Sequence, residues 1–251
     1  MHAVNAGKAG ESWAALAKAL PVPKAVLVIT AHWESNLPML SGNAKPSMIY
    51  DFGGFPDELY KIVYAAPGAP DVAARAQELL KGAGITAGID GCRGMDHGTW
   101  VPLLKMFPDA DVPVVQLSVQ PAMNPRHHYA VGLALAPLAR EGVLIVGSGH
   151  LTHNLRDWMT SRNQSGKSAY AVQFQHWVHD HLESQDIDAL TRYRQLAPEA
   201  VRAHPTEEHF LPLFVALGAA GPGARPEQVF DGFEGAALAM DAYRFRQQPT
   251  G

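Results

Sequence analysis

Cysteine is almost absent: Cys92 is the only one in 251 residues. No internal disulfide can form, and no cysteine pair is available to hold a structural zinc. That usage fits a reducing compartment. No apolar run approaches the roughly 20 residues of a membrane helix, and the stretch Ala25 to Ala31 falls far short. The N-terminus lacks the charged start, apolar stretch and cleavage site of a secretory signal. A soluble, cytoplasmic protein is expected, with no membrane partner. A strong charge of either sign is missing too. The 20 basic and 24 acidic residues leave a net charge of −4 without a Lys/Arg cluster, so nucleic acid is not an expected partner. There is no Gly-x-Gly-x-x-Gly or Gly-x-x-x-x-Gly-Lys-Ser/Thr segment after a strand, which argues against a nucleotide site. No linker, repeat or low-complexity tract divides the chain, so residues 1–251 read as one domain.

What is present is an alternation of strand and helix signals. Trp13, Leu16, Ala17 and Leu20 recur at helical spacing over residues 11–20, so the chain opens on a helix. Ala25-Val-Leu-Val-Ile-Thr-Ala-His32 has the pattern of a strand buried on both faces. Val112–Val119 and Val143–Gly147 look the same. Helices are predicted over Asp71–Lys81, Pro125–Arg140, Lys167–Leu182 and Glu207–Leu217. The pattern predicts an α/β domain with a mostly parallel central sheet flanked by helices. Ligands of such folds sit beyond the carboxyl ends of the strands.

Histidine is abundant, with 12 residues. His32 closes the first clear strand, and His150 and His153 follow the strand ending at Gly147, so separate strands deliver imidazoles to one edge of the sheet. His97 lies in Met95-Asp-His-Gly-Thr-Trp100, and His209 in Thr206-Glu-Glu-His-Phe-Leu-Pro212. Imidazole is a common ligand for zinc and iron and transfers protons near neutral pH. On position alone a histidine at a strand end is more often a structural hydrogen-bonding residue. His127, His128, His176, His179 and His181 fall on predicted helices and read as packing or solvated residues, while His204 lies in a proline-containing loop.

Local sequence sets four of them apart. Ile29-Thr-Ala-His-Trp33, Tyr50-Asp-Phe-Gly-Gly-Phe-Pro56, Tyr64-Ala-Ala-Pro-Gly68, Asp96-His-Gly-Thr-Trp100, Ser148-Gly-His-Leu-Thr-His-Asn154 and Glu207-Glu-His-Phe-Leu-Pro212 follow one another along the chain. Together they resemble the class III extradiol ring-cleavage dioxygenases, in the branch that includes DOPA 4,5-dioxygenase. The resemblance covers nearly the whole chain. It implies a catechol and O2 as substrates, DOPA-like or caffeate-like, and Fe(II) as the active metal. Zn(II) could occupy the same ligands. It further implies His32 and His209 as metal ligands, and His153 as a further ligand or an acid–base residue. His97 would bind or deprotonate the catechol, and the division of proton transfer between His97 and His153 stays open. The Phe52-Gly-Gly-Phe55 turn would close over the site.

One part of the family pattern is missing. Its members normally open with a short strand ending in His-Gly-Ser-Pro, whose histidine is a ligand. This sequence opens Met1-His-Ala-Val4, which resembles the residues after that turn. His2 is no obvious substitute. The expectation is a sheet short of one strand and a weakened metal site. Two rivals share the residue types: a zinc hydrolase on a related scaffold, and a non-catalytic homologue with an impaired site.

Overall fold

The fold, given by a computed structural model, is described for residues 7–161 and 166–246. The chain enters through helix α1 (Gly7–Lys18) and runs into β1 (Ala25–Glu34), β2 (Met39–Ser41), α2 (Pro70–Gly82), β3 (Gly88–Asp90), α3 (His97–Met106), β4 (Val114–Val119), α4 (Pro125–Arg140) and β5 (Val143–Ser148). Short and long helices follow: α5 (Leu155–Thr160), α6 (Ala169–Glu183), α7 (Ile187–Thr191), α8 (Tyr193–Leu196), α9 (Ala200–Ala203) and α10 (Leu211–Ala220). Two hairpins finish the described chain, pairing β6 (Arg225–Phe230) with β9 (Ala242–Arg246) and β7 (Phe233–Glu234) with β8 (Leu238–Ala239). None of the described helices is long and apolar enough to cross a membrane.

The central sheet has the order β3-β2-β4-β1-β5. It is parallel except where β2 meets β4 at Leu40 and Leu117. β1 is the middle of the hydrophobic core because Ala25 to Ala31 are buried without interruption. Leu27 and Ile29 pack against α2, α4 and α10 on one face, while Val26 and Val28 pack against α3 residues Trp100 and Leu103 on the other. Burying a leucine or isoleucine in this way contributes on the order of 1.5–3 kcal/mol per side chain. A second apolar cluster, built on Phe174, Tyr193, Phe210 and Phe214, supports the loops that leave β5.

Local signals explain the element starts. Asn124 accepts a hydrogen bond from the His127 amide at 2.9 Å, and Pro125 fills the first turn, so α4 begins where expected. The structure moves the last predicted helix. It covers Leu211–Ala220 rather than Glu207–Leu217, leaving His209 in the turn before it. Pro212 has no amide hydrogen and stands in the first turn of the observed helix, where no intrahelical bond is lost. The short strands β2 and β3 and the hairpins β6–β9 went unpredicted; too few residues alternate there to register as strands. His2 lies outside the described residues.

Candidate metal centre at the strand ends

The register of the sheet brings distant histidines together. β1 and β5 run parallel with Thr30 opposite Ser148. Two residues further along the chain stand His32, near the end of β1, and His150, just past the end of β5. Pairing of β1 with β4 becomes irregular between Ile29 and Glu34, so His32 sits in the distorted end of its strand.

The loop after β5 is held at nearly every residue. The His150 amide donates to the His209 carbonyl at 2.9 Å, and the His153 amide to the Ala203 carbonyl at 2.8 Å. The Leu151 amide bonds the Ala239 carbonyl, and the buried Thr152 hydroxyl donates to Ala237 at 2.8 Å. Asn154 then caps α5 by accepting from the Asp157 amide. A Cβ at position 149 would run into the His209 carbonyl oxygen, so Gly149 is what lets the two histidine-bearing segments touch.

His97 arrives from the other side as the first residue of α3. Asp96 caps that helix by accepting from the Thr99 amide at 3.1 Å. Fully buried, Asp96 also accepts from the Thr30 hydroxyl at 2.8 Å and from Arg93 Nη2 at 3.0 Å. Arg93 Nη2 reaches the His32 carbonyl as well, at 3.3 Å, and its guanidinium lies over the Trp33 ring. The buried Asp96 carboxylate is therefore paired with Arg93 and accepts at both oxygens, the condition for tolerating it, and it ties the His32 strand end to the His97 helix. Gly98 permits the approach: a Cβ there would lie 2.8 Å from His32 Cδ2.

The four histidines singled out by sequence form one chain of rings. His97 and His32 have centroids 3.9 Å apart, His32 and His209 5.1 Å, and His209 and His153 3.5 Å in a stacked pair. His150 joins at 5.2 Å from His153. Among the described residues the potential ligand atoms gather in two adjoining sets. His153 and His209 fall with His150, and His32 falls with Asp51 and His97; within each set the atoms lie within 4.8 Å of one another. His32, His153 and His209 are thus neighbours divided between two sets, with the His209 ring in contact with both.

Three participants carried no role from sequence: His150, Asp51 and Glu208. Asp51 lies inside the quoted Tyr50–Pro56 segment and His150 inside Ser148–Asn154, so the signal was present but unassigned. Asp51 Oδ1 meets His97 Nδ1 at 2.8 Å and Oδ2 meets His32 Nδ1 at 3.2 Å. Glu208 Oε1 meets His209 Nδ1 at 2.9 Å.

Electrostatics favours neutral His153 and His209 and ionised Asp51 and Glu208. Burial pushes His153 down to about 3, and the neighbouring His209 adds to that effect. Burial also lowers His209, against the pull of Glu208. For Glu208 the cost of burial is outweighed by its hydrogen bond to His209, and it lies down at about 2. Burial likewise opposes the Asp51 charge, yet the bonds from His32 and His97 hold this carboxyl well below the usual range. Neutral imidazoles keep the lone pair that a metal requires. With Nδ1 engaged by carboxylates, His32 and His209 offer Nε2, the arrangement by which carboxylates orient metal-binding histidines. The donor set therefore fits a divalent first-row metal.

A cavity of about 750 Å³ opens beside the rings. Phe52 stands edge-on to His97 at 5.4 Å, with Phe55 and Trp100 behind it, and Gly54 takes a positive φ of 74° in the turn between the two phenylalanines. Aromatic faces and edges of this kind suit a planar ring. The cavity continues away from the histidines along the whole of β5, facing β9, α1 residues Trp13 and Leu16, and Leu20 just beyond that helix.

Comparison with known proteins shows the family. Residues 3–239 match the family described as LigB, catalytic LigB subunit of aromatic ring-opening dioxygenase. The chain is 44% identical over 224 residues to the 4,5-DOPA dioxygenase extradiol of Beta vulgaris, covering 89% of this chain and 83% of that one. It is 38% identical over 232 residues to the protein of the same name from Escherichia coli K12, covering 91% and 84%. A crystal structure of an uncharacterized protein, JW3007, from Escherichia coli K12 superposes with a TM-score of 0.78 at 33% identity, covering 93% of this chain and 91% of that one. The chain belongs to the LigB family of aromatic ring-opening dioxygenases, metal-dependent non-haem enzymes that cleave catechol rings in extradiol fashion.

Proposed function

We propose that this chain cleaves a DOPA-like or caffeate-like catechol, using Fe(II) held by His32, His153 and His209. The observation that supports the reading is the His209 ring, which adjoins both ligand sets, 5.1 Å from His32 and 3.5 Å from His153 between centroids. The DOPA dioxygenases among its relatives favour DOPA among the possible catechols.

Bound iron supplies the electron relay between an aromatic diol and O2. The remaining work falls to the protein. The catechol ring lies against Phe52 and Trp100, which orient it and exclude water. His97, at the mouth of the cavity, accepts a proton from one catechol hydroxyl through Nε2, the nitrogen left free by Asp51. His153, neutral because it is buried, has one lone pair to give, either to the iron as its third ligand or to a proton as the acid–base residue. Zn(II) suits the same donors but has no redox chemistry, so the zinc form is inactive in ring cleavage.

β5 is the outer strand of the central sheet among the described residues, and every residue from Val143 to Leu151 lines the largely apolar cavity. An added strand pairing with β5 would deliver one further imidazole to the strand ends. The single, exposed Cys92 agrees with a cytoplasmic setting.

The test is anaerobic loading with Fe(II) followed by aeration with DOPA. Uptake of one O2 per catechol and a visible-absorbing product are expected. Absence of both, or a metal-dependent reaction that proceeds without O2, would replace this reading with the non-catalytic or the hydrolytic one.

A further inference from the structure

Asp51 stands between two histidines to which the proposed function gives different tasks. It belongs to the segment linking β2 to α2, where the backbone around it is firmly held. The Ile49 amide bonds the Met95 carbonyl at 2.7 Å, Trp100 Nε1 donates to the Ile49 carbonyl at 3.2 Å, and the Tyr50 hydroxyl donates to Ile62 at 2.7 Å. On the other side the Tyr60 hydroxyl donates to the Phe52 carbonyl. The carboxylate itself is only 24% exposed.

Three donors converge on it. Oδ1 accepts from the His97 amide at 3.0 Å and from His97 Nδ1 at 2.8 Å, while Oδ2 faces His32 Nδ1 at 3.2 Å. An ionised carboxylate can only accept, so each Nδ1 carries the hydrogen. In a neutral imidazole the lone pair then resides on Nε2, across the ring. Both carboxylate oxygens are engaged in this way, which assigns Asp51 to orientation and leaves ligation to the imidazoles.

Resting on the proposed function, we infer that Asp51 is a positioning residue that fixes the Nδ1–H tautomer of His32 and His97 together. One carboxylate thereby sets both the lone pair of the metal ligand and the lone pair that accepts the catechol proton. It also holds the two rings at their 3.9 Å separation. Metal affinity and proton transfer thus depend on the same side chain, one through His32 and the other through His97.

Asp51→Asn tests this, because an amide oxygen can satisfy one Nδ1–H while its NH2 group repels the other. Imidazole 15N shifts of the metal-free protein should report Nδ1–H for both His32 and His97, and a shift of at least one towards Nε2–H in D51N. Competition with a chelator should show Zn(II) binding weakened about 10- to 100-fold. With Fe(II), kcat should fall more than KM changes. In the D51N/H97Q double variant kcat should fall no further than in H97Q alone, while the loss of zinc affinity persists. Unchanged tautomers together with unchanged zinc affinity in D51N overturn the inference. So does lost zinc binding with both tautomers intact, which would make Asp51 a ligand. The tautomer and zinc measurements need no turnover, so they decide the role of Asp51 even if the wild type fails to cleave a catechol.

Discussion

At the scale of single residues, the centre is a problem of keeping imidazoles neutral and pointed. Burial does the first: it holds His153 and His209 below their ordinary range. Carboxylates do the second, Glu208 for His209 and Asp51 for His32 and His97. The histidines were legible in the sequence because they stand in quoted segments with a resemblance behind them. Their carboxylate partners were not. Glu208 is adjacent to its histidine in sequence, but Asp51 meets His97 across 46 positions, a pairing that only the folded chain reveals. Two other histidines show the limit of reading by position. His128 is a packing residue, as expected from α4, with Nε2 accepting from the Gln120 amide at 3.1 Å. His204, read as a loop residue, is fully buried, bonds the Leu151 carbonyl and stacks on Phe210. For His32 the prediction is direct. Replacing it by Ala should abolish stoichiometric metal binding, measured by elemental analysis after dialysis, while the melting temperature stays close to that of the metal-free parent. Unaltered metal content would remove His32 from the ligand set.

At the scale of elements, the buried strands were the clearest part of the sequence. β1 starts at Ala25 as expected and continues to Glu34, and β4 and β5 match the predicted runs within two residues at each end. Such strands announce themselves because both faces are apolar. The late start of α10 matters more for function, since it places His209 in a turn whose carbonyl accepts from His150. The other element with a functional consequence is the outer edge of β5. Its burial is intermediate or lower from Leu144 to Ser148, in contrast to the continuous burial of β4. Alternate amides of β5, those not bonded to β1, should therefore exchange hydrogen rapidly. Supplying residues in frame ahead of Met1, ending in His-Gly-Ser-Pro, should protect those amides by at least about 100-fold, as a paired strand does. Equal exchange with and without the added residues would place that strand elsewhere.

At the scale of the whole molecule, the sheet gathers groups scattered over most of the chain, and their neutrality ties stability to pH. Burial lowers His128 to about 4 and His204 to about 3. In the unfolded chain each imidazole takes up a proton near pH 6.5, roughly the unperturbed value. Between those limits the unfolded state binds more protons than the native one. Stability is therefore full above about pH 6.5 and falls as the pH drops towards the folded values, by about 1.4 kcal/mol per pH unit for each histidine. Urea unfolding of the metal-free protein from pH 7.5 to 4.5 should show this decline, and a flat profile over that range would count against buried neutral histidines.

The central claim is that imidazoles from β1, the loop after β5 and the turn before α10 meet around one divalent ion. Crystals loaded anaerobically with Fe(II) and measured at the iron edge test it most directly. A single anomalous peak bordered by His32, His153 and His209 is the expected result. Two separate peaks, or one confined to a single set of ligands, would contradict it.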